Sequence, residues 1–85
     1  MDAEDLKSAG LKVTLPRLKI LEVLENSPNH HLSAEDIYRV LIEQNEDVGV
    51  ATIYRVLSQF EESGIVHKLN FENNQAVYEL CGLEH

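Results

Sequence analysis

Two sets of residues in this 85-residue chain have types and spacings that could do chemistry. The first is basic and hydroxylic: Lys12 and Arg17 near the amino end, Thr52, Tyr54 and Arg55 in the stretch VATIYRVLSQFEE, and Lys68 beyond it. An arginine can chelate a guanine edge, apolar and ring atoms can meet a thymine methyl, and basic side chains can neutralise phosphates. The second set is ligand-type: His30, His31, His67, Glu79 and Cys81. Imidazole and carboxylate hold transition metals, but adjacent histidines in a loop are ordinarily solvated, and one pair does not make a tetrahedral site. No Ser/His/Asp spacing, glycine-rich phosphate loop or pair of cleft carboxylates is evident, so an enzyme is not expected.

A net charge of −8 at first disfavours a polyanionic partner. Its distribution qualifies that impression. Residues 6–21 carry Lys7, Lys12, Arg17 and Lys19 with no acid, residues 48–60 carry Arg55 alone, and residues 63–71 carry Lys68 alone. Of the seven basic residues only Arg39 lies outside these windows. Surface fields follow local charge, so a small basic face on an acidic body is compatible with the composition, as is a merely solvated surface. The single cysteine, Cys81, excludes an internal disulfide and a four-thiolate zinc site. The acidic start MDAEDLKSAG is no signal peptide, and no stretch approaches the roughly 20 apolar residues of a membrane span.

The elements that must position these residues are legible. Residues 2–9, with acids early and Lys7 late, predict a short helix stopped by Gly10. LKVTLPRLKILEVLENSP predicts a second, capped by Thr14, with Pro16 in its first turn and Pro28 after its end. Leu18, Ile20, Leu21, Val23 and Leu24 form its apolar side, and Lys19, Glu22 and Asn26 its wet side. HLSAEDIYRVLIEQN predicts a third, with Ser33 as cap, Asp36 as capping-box acid, and Ala34, Ile37, Tyr38, Leu41 and Ile42 as core stripe. After NEDVG comes a fourth over 50–63, burying Val50, Ile53, Val56, Leu57 and Phe60 and ending at Gly64. IVHKLNF and QAVYEL then read as a hairpin over 65–80 about a two-residue Asn73–Asn74 turn. That turn would set Phe71 opposite Ala76, Leu69 opposite Tyr78 and Lys68 opposite Glu79, with Leu69, Phe71, Ala76, Tyr78 and Leu80 covering the helices. The expected fold is mainly α with a small β-hairpin: a winged helix-turn-helix of four helices and a two-stranded antiparallel wing, within residues 1–82.

The fourth helix carries its one base, Arg55, early and its acids, Glu61 and Glu62, at the end. A helix dipole prefers the reverse order. The arrangement suits an element that enters a major groove front end first and tilts its acidic end away. Ala51, Arg55, Ser58 and Glu62 lie opposite the buried stripe, with Thr52, Tyr54 and Gln59 on its flanks. Lys12, in the connection before the second helix, could reach a minor groove, and Arg17 a phosphate. Lys68 either touches backbone from the wing or pairs across strands with Glu79.

AGLKVTLPRLKILEVL, HHLSAEDIYRVL, GVATIYRVLSQFEESGIV and NFENNQAVYEL together resemble the DNA-binding half of the ferric uptake regulator family of bacterial metal-responsive repressors, over roughly residues 6–80. The resemblance implies a cytoplasmic repressor of iron-uptake genes, homodimeric at full length, with ferrous iron as corepressor, zinc as a further metal, and an AT-rich palindromic duplex as partner. By position it implies Tyr54 and Arg55 at bases, Lys12 in the minor groove, and Arg17 and Thr52 on or near the backbone. It also makes His31 and Glu79 half of an interdomain regulatory metal site. Full-length members continue into a dimerisation and metal-binding domain, whereas this sequence stops at ELCGLEH. The expectation is therefore an isolated DNA-binding domain, monomeric and without tightly bound metal. Its closing residues 83–85 are consistent with a tag remnant. The competing reading is a protein-interaction winged helix that uses the acidic surface.

Overall fold

A computed structural model describes residues 3–27, 31–70 and 75–81. The element order is α1 (Ala3–Ser8), α2 (Leu15–Asn26), β1 (His31–Leu32), α3 (Ala34–Glu43), α4 (Val50–Glu62), β2 (Val66–Asn70) and β3 (Ala76–Leu80). The helix boundaries follow local chemistry. Thr14 caps α2 by accepting from the Arg17 amide, with Pro16 in the first turn where no donor is needed. Ser33 and Asp36 form a reciprocal capping box on α3, each bond 3.1 Å.

Three helices stop in the same way. Gly10, Asn45 and Gly64 have positive φ. At each, the following amide bonds back to the carbonyl five residues earlier: Leu11 to Leu6, Glu46 to Leu41, and Ile65 to Phe60. This Schellman closure satisfies orphan carbonyls and turns the chain sharply. After Gly64 the chain passes directly into β2, and the Cys81 amide donates to the Ile65 carbonyl at 2.8 Å, fastening the foot of the wing.

One core holds the helices to the sheet. Leu6, Ile20, Leu21, Leu24, Ile37, Leu41, Ile53, Leu57 and Phe60 are fully enclosed, with Val66, Tyr78 and Leu80 sealing the wing against them. Burying such a side chain contributes about 1.5–3 kcal/mol before entropy is counted. Within the expected α3 stripe, Ala34, Ile37 and Leu41 are buried and Tyr38 is half-buried. Ile42 departs from it at 51% exposure, because the stripe narrows towards the end of the helix. Lys19, expected on the wet side of α2, forms a 3.0 Å ion pair with Glu46.

The sheet differs from the expectation in strand count and register. It has three strands among the described residues, in the order β1-β3-β2, all antiparallel. The extended pair His31–Leu32, leading into the Ser33 cap, lies along the outer edge of β3, which a two-stranded wing would have left open. The hairpin register is shifted by one residue: Leu69 faces Val77 and Lys68 faces Tyr78, not Glu79. Val66 sets this alignment, because it lies opposite Leu80 and both are buried. Five residues, 71–75, therefore separate the paired strands. The expected Asn73–Asn74 turn and the Phe71 pairing lie outside the described residues. Val77, expected on the outer face, is only 6% exposed, because as part of the middle strand it lines a hollow with Leu32 and Val40.

Candidate nucleic-acid interface

The front half of α4 is exposed and free of acids. Gly49 precedes it without a side-chain cap, and its first turn holds no carboxylate. Ile53, Val56, Leu57 and Phe60 anchor the helix from beneath. Ala51, Tyr54, Arg55 and Ser58 are exposed on the other side. Glu61 and Glu62 lie at the far end, nine residues beyond Thr52 in the case of Glu61. At 1.5 Å per residue that is about 14 Å. This exceeds the screening length of roughly 8 Å at physiological salt, so the acids do not cancel the field at the front.

Lys12, Thr14, Arg17, Thr52 and Arg55 converge on one open hollow of about 390 Å³ between the α1–α2 connection and α4. Pro16, Val56 and Gln59 complete its lining, and no carboxylate takes part. Arg17 organises this hollow. Its Nε and Nη2 both donate to Gln59 Oε1, at 3.3 and 2.8 Å, and its Nη1 donates to the Lys12 carbonyl at 2.6 Å. Expected simply as a phosphate contact, Arg17 also ties the connection that carries Lys12 to α4. Sequence reasoning placed Gln59 on the flank of this helix but gave it no role. The signal for it was its spacing, since it stands seven residues after Thr52 on the same flank.

Tyr54 is 42% exposed, and its hydroxyl donates to Glu35 Oε2 at 2.8 Å. That bond, more than the small burial, holds its phenol above the ordinary value of 10. Glu35, nineteen residues away on another helix, carried no sequence signal. The Tyr78 phenol is pushed up chiefly by burial, with Glu61 and Glu35 adding to it. Lys68 is exposed on β2, and the observed register removes the expected cross-strand pair with Glu79.

The ligand-type residues are partly brought together. His31 on β1 and His67 on β2 are both register partners of Glu79 on the middle strand, so the three form one row across the sheet. Sequence reasoning had grouped His31 with Glu79 but not His67, whose place depends on the register. No group of three or more His, Cys, Asp or Glu among the described residues is arranged to hold a metal ion. His30 lies outside those residues.

The chain matches the sequence profile of the ferric uptake regulator family over residues 8–85. It belongs to that family. It is 57% identical over 84 residues to the ferric uptake regulation protein of Legionella pneumophila, covering 99% of this chain and 62% of that protein. The solved ferric uptake regulator of Vibrio cholerae, described in terms of rearranging DNA-binding domains, superposes with a TM-score of 0.90 at 54% identity, over 98% of this chain and 63% of that one. The Pseudomonas aeruginosa regulator, solved with manganese, gives 0.91 at 52% identity, over 98% and 62%. Other solved family members carry iron or zinc. The chain thus spans somewhat over half the length of these relatives and covers their N-terminal DNA-binding part.

Proposed function

We propose that this chain is the sequence-specific DNA-binding domain of an iron-responsive repressor of iron-uptake genes, with the front of α4 in the major groove. The observation that carries this reading is the acid-free hollow where Lys12, Arg17, Thr52 and Arg55 meet beside the exposed first turns of α4. Its volume of about 390 Å³ admits a phosphate, and the uncapped amides of Val50 and Ala51 suit the same anion. Arg55 and Tyr54 would read base edges. Lys12 would reach the minor groove, Arg17 and Thr52 would hold the backbone, and Lys68 would touch it from the wing. Residues 1–82 form this domain in the proposal. The length of the relatives that the chain does not span would supply the dimer contact, and a cytoplasmic location follows from the role.

His31 and Glu79 are proposed as part of a regulatory metal site completed by ligands outside the described residues. Imidazole and carboxylate suit ferrous iron, manganese or zinc, and their pairing across β1 and β3 supports a shared role. Two ligands hold such a metal weakly. Metal in the whole protein would act by fixing domain geometry, a shift between preexisting arrangements.

Fluorescence titration with an AT-rich palindromic duplex and a scrambled duplex tests the reading. Arg55→Ala should lower the ratio of the two affinities, whereas Lys12→Ala should weaken both alike. Equal loss on both duplexes with Arg55→Ala would remove the base-reading role. Ferrous iron should change neither affinity much for this chain alone. Duplex that leaves the amide resonances of residues 50–58 unmoved would favour a protein-interaction module instead.

A further inference from the structure

Tyr54 stands among the residues proposed to face the groove, and it is 42% exposed. Its hydroxyl is tied to Glu35, the second residue of α3. The neighbouring acid, Asp36, is occupied by the Ser33 amide and by Arg39, so Glu35 is the first-turn acid that reaches α4. The positive end of α3 favours an ionised, accepting Glu35. A hydrogen bond between two exposed groups contributes little to stability, so its main consequence is orientation.

A phenol has one proton to donate. With that proton given to Glu35, the Tyr54 oxygen faces the groove as an acceptor only. In the major groove the adenine N6 and cytosine N4 amino groups donate, the thymine methyl meets ring atoms, and guanine offers only the acceptors N7 and O6. We propose that Glu35 is a positioning residue that sets base preference, holding Tyr54 as an acceptor-only reader that favours amino-bearing edges over guanine. This rests on the DNA-binding reading above.

The test uses the full chain, an AT-rich palindromic duplex, and a series in which each A·T pair is replaced in turn by G·C in either orientation. The native chain should discriminate by about fivefold or more at one position at least, the scale of a single lost base contact, and Tyr54→Phe should abolish that discrimination. Glu35→Ala should reduce it to within about twofold, and the double variant should lose no more than either single one. Glu35→Gln, whose amide oxygen can still accept from the phenol, should restore it, a rescue that a general loss of structure would not show. NMR titration of the Tyr54 ring in Glu35→Ala should show its phenol ionising at lower pH than in the native chain.

Retained discrimination in Glu35→Ala, additive loss in the double variant, or an unmoved Tyr54 titration overturns the role of Glu35 while leaving DNA binding intact. A native chain that binds no duplex in preference to a scrambled one overturns the DNA-binding reading, and this proposal with it.

Discussion

Three of the five guanidinium N–H groups of Arg17 are engaged inside the molecule, two by Gln59 and one by the Lys12 carbonyl. The remaining two can meet an incoming phosphate without dismantling that clasp. Lysine could not do the same, having a point charge in place of a planar fork. Gln59→Leu removes the shared acceptor and leaves a half-buried arginine with fewer partners. Urea unfolding should show a loss of about 1.5–3 kcal/mol, the range for hydrogen bonds to a charged group. The same change should loosen Lys12, which the clasp holds through its backbone, and so broaden the amide resonances of residues 11–13. Unchanged stability together with unchanged resonances would mean that the clasp does no structural work. Alkaline pH acts on the neighbouring pair. The Tyr54 phenol is raised above its unfolded value, so the Glu35 link is intact below about pH 10 and is lost as pH rises through the folded value.

The helices place the parts of the proposed interface, and the placement depends on how the preceding element stops. Gly64 turns α4 into β2 at φ +82 with nothing within 4 Å of the position a Cβ would take. Gly64→Ala therefore tests backbone strain without a steric clash, and should cost about 1 kcal/mol in urea unfolding. Ser33→Ala should cost a similar amount, about 1 kcal/mol, by opening the α3 capping box, and the capping residue is itself buried. These devices were readable in the sequence because they are local: a cap and its partner lie three residues apart, and a stop glycine follows its helix directly. The basic set was readable in part: Lys12, Arg17 and Arg55 from the acid-free windows meet in a hollow without a carboxylate, whereas folding brings Glu46 to Lys19 and Glu35 to Tyr54. The wing was less legible. Its register depends on Val66 meeting Leu80 in a core assembled from four helices, and no spacing within the hairpin reports that core. β1 is two residues long, too short for any periodicity, and only the vacant edge of β3 gives it a reason to exist. The Glu35–Tyr54 and Arg17–Gln59 pairs are tertiary contacts that cross helices, and no spacing along the chain announces such pairs.

At the scale of the whole molecule, a chain of net charge −8 is proposed to bind a polyanion. The two facts are compatible because the field at a contact is set within a screening length, and the hollow beside α4 holds Lys12, Arg17 and Arg55 without a carboxylate. Carboxylates elsewhere, such as Glu22 on the outer side of α2 and Glu62 at the far end of α4, are exposed and act mainly on the long-range approach. Binding should therefore respond to salt according to the few local bases and not to the total charge. Each phosphate neutralised contributes about −0.9 to the slope of log affinity against log salt. Lys12→Ala should make the slope shallower by about one, while Glu22→Gln, which raises the net charge by the same unit that Lys12→Ala lowers it, should leave the slope within error. Isothermal titration with the palindromic duplex at several potassium chloride concentrations separates the two. Equal and opposite slope changes from both substitutions would mean that the net charge governs binding, and the local hollow would lose its claim to be the contact.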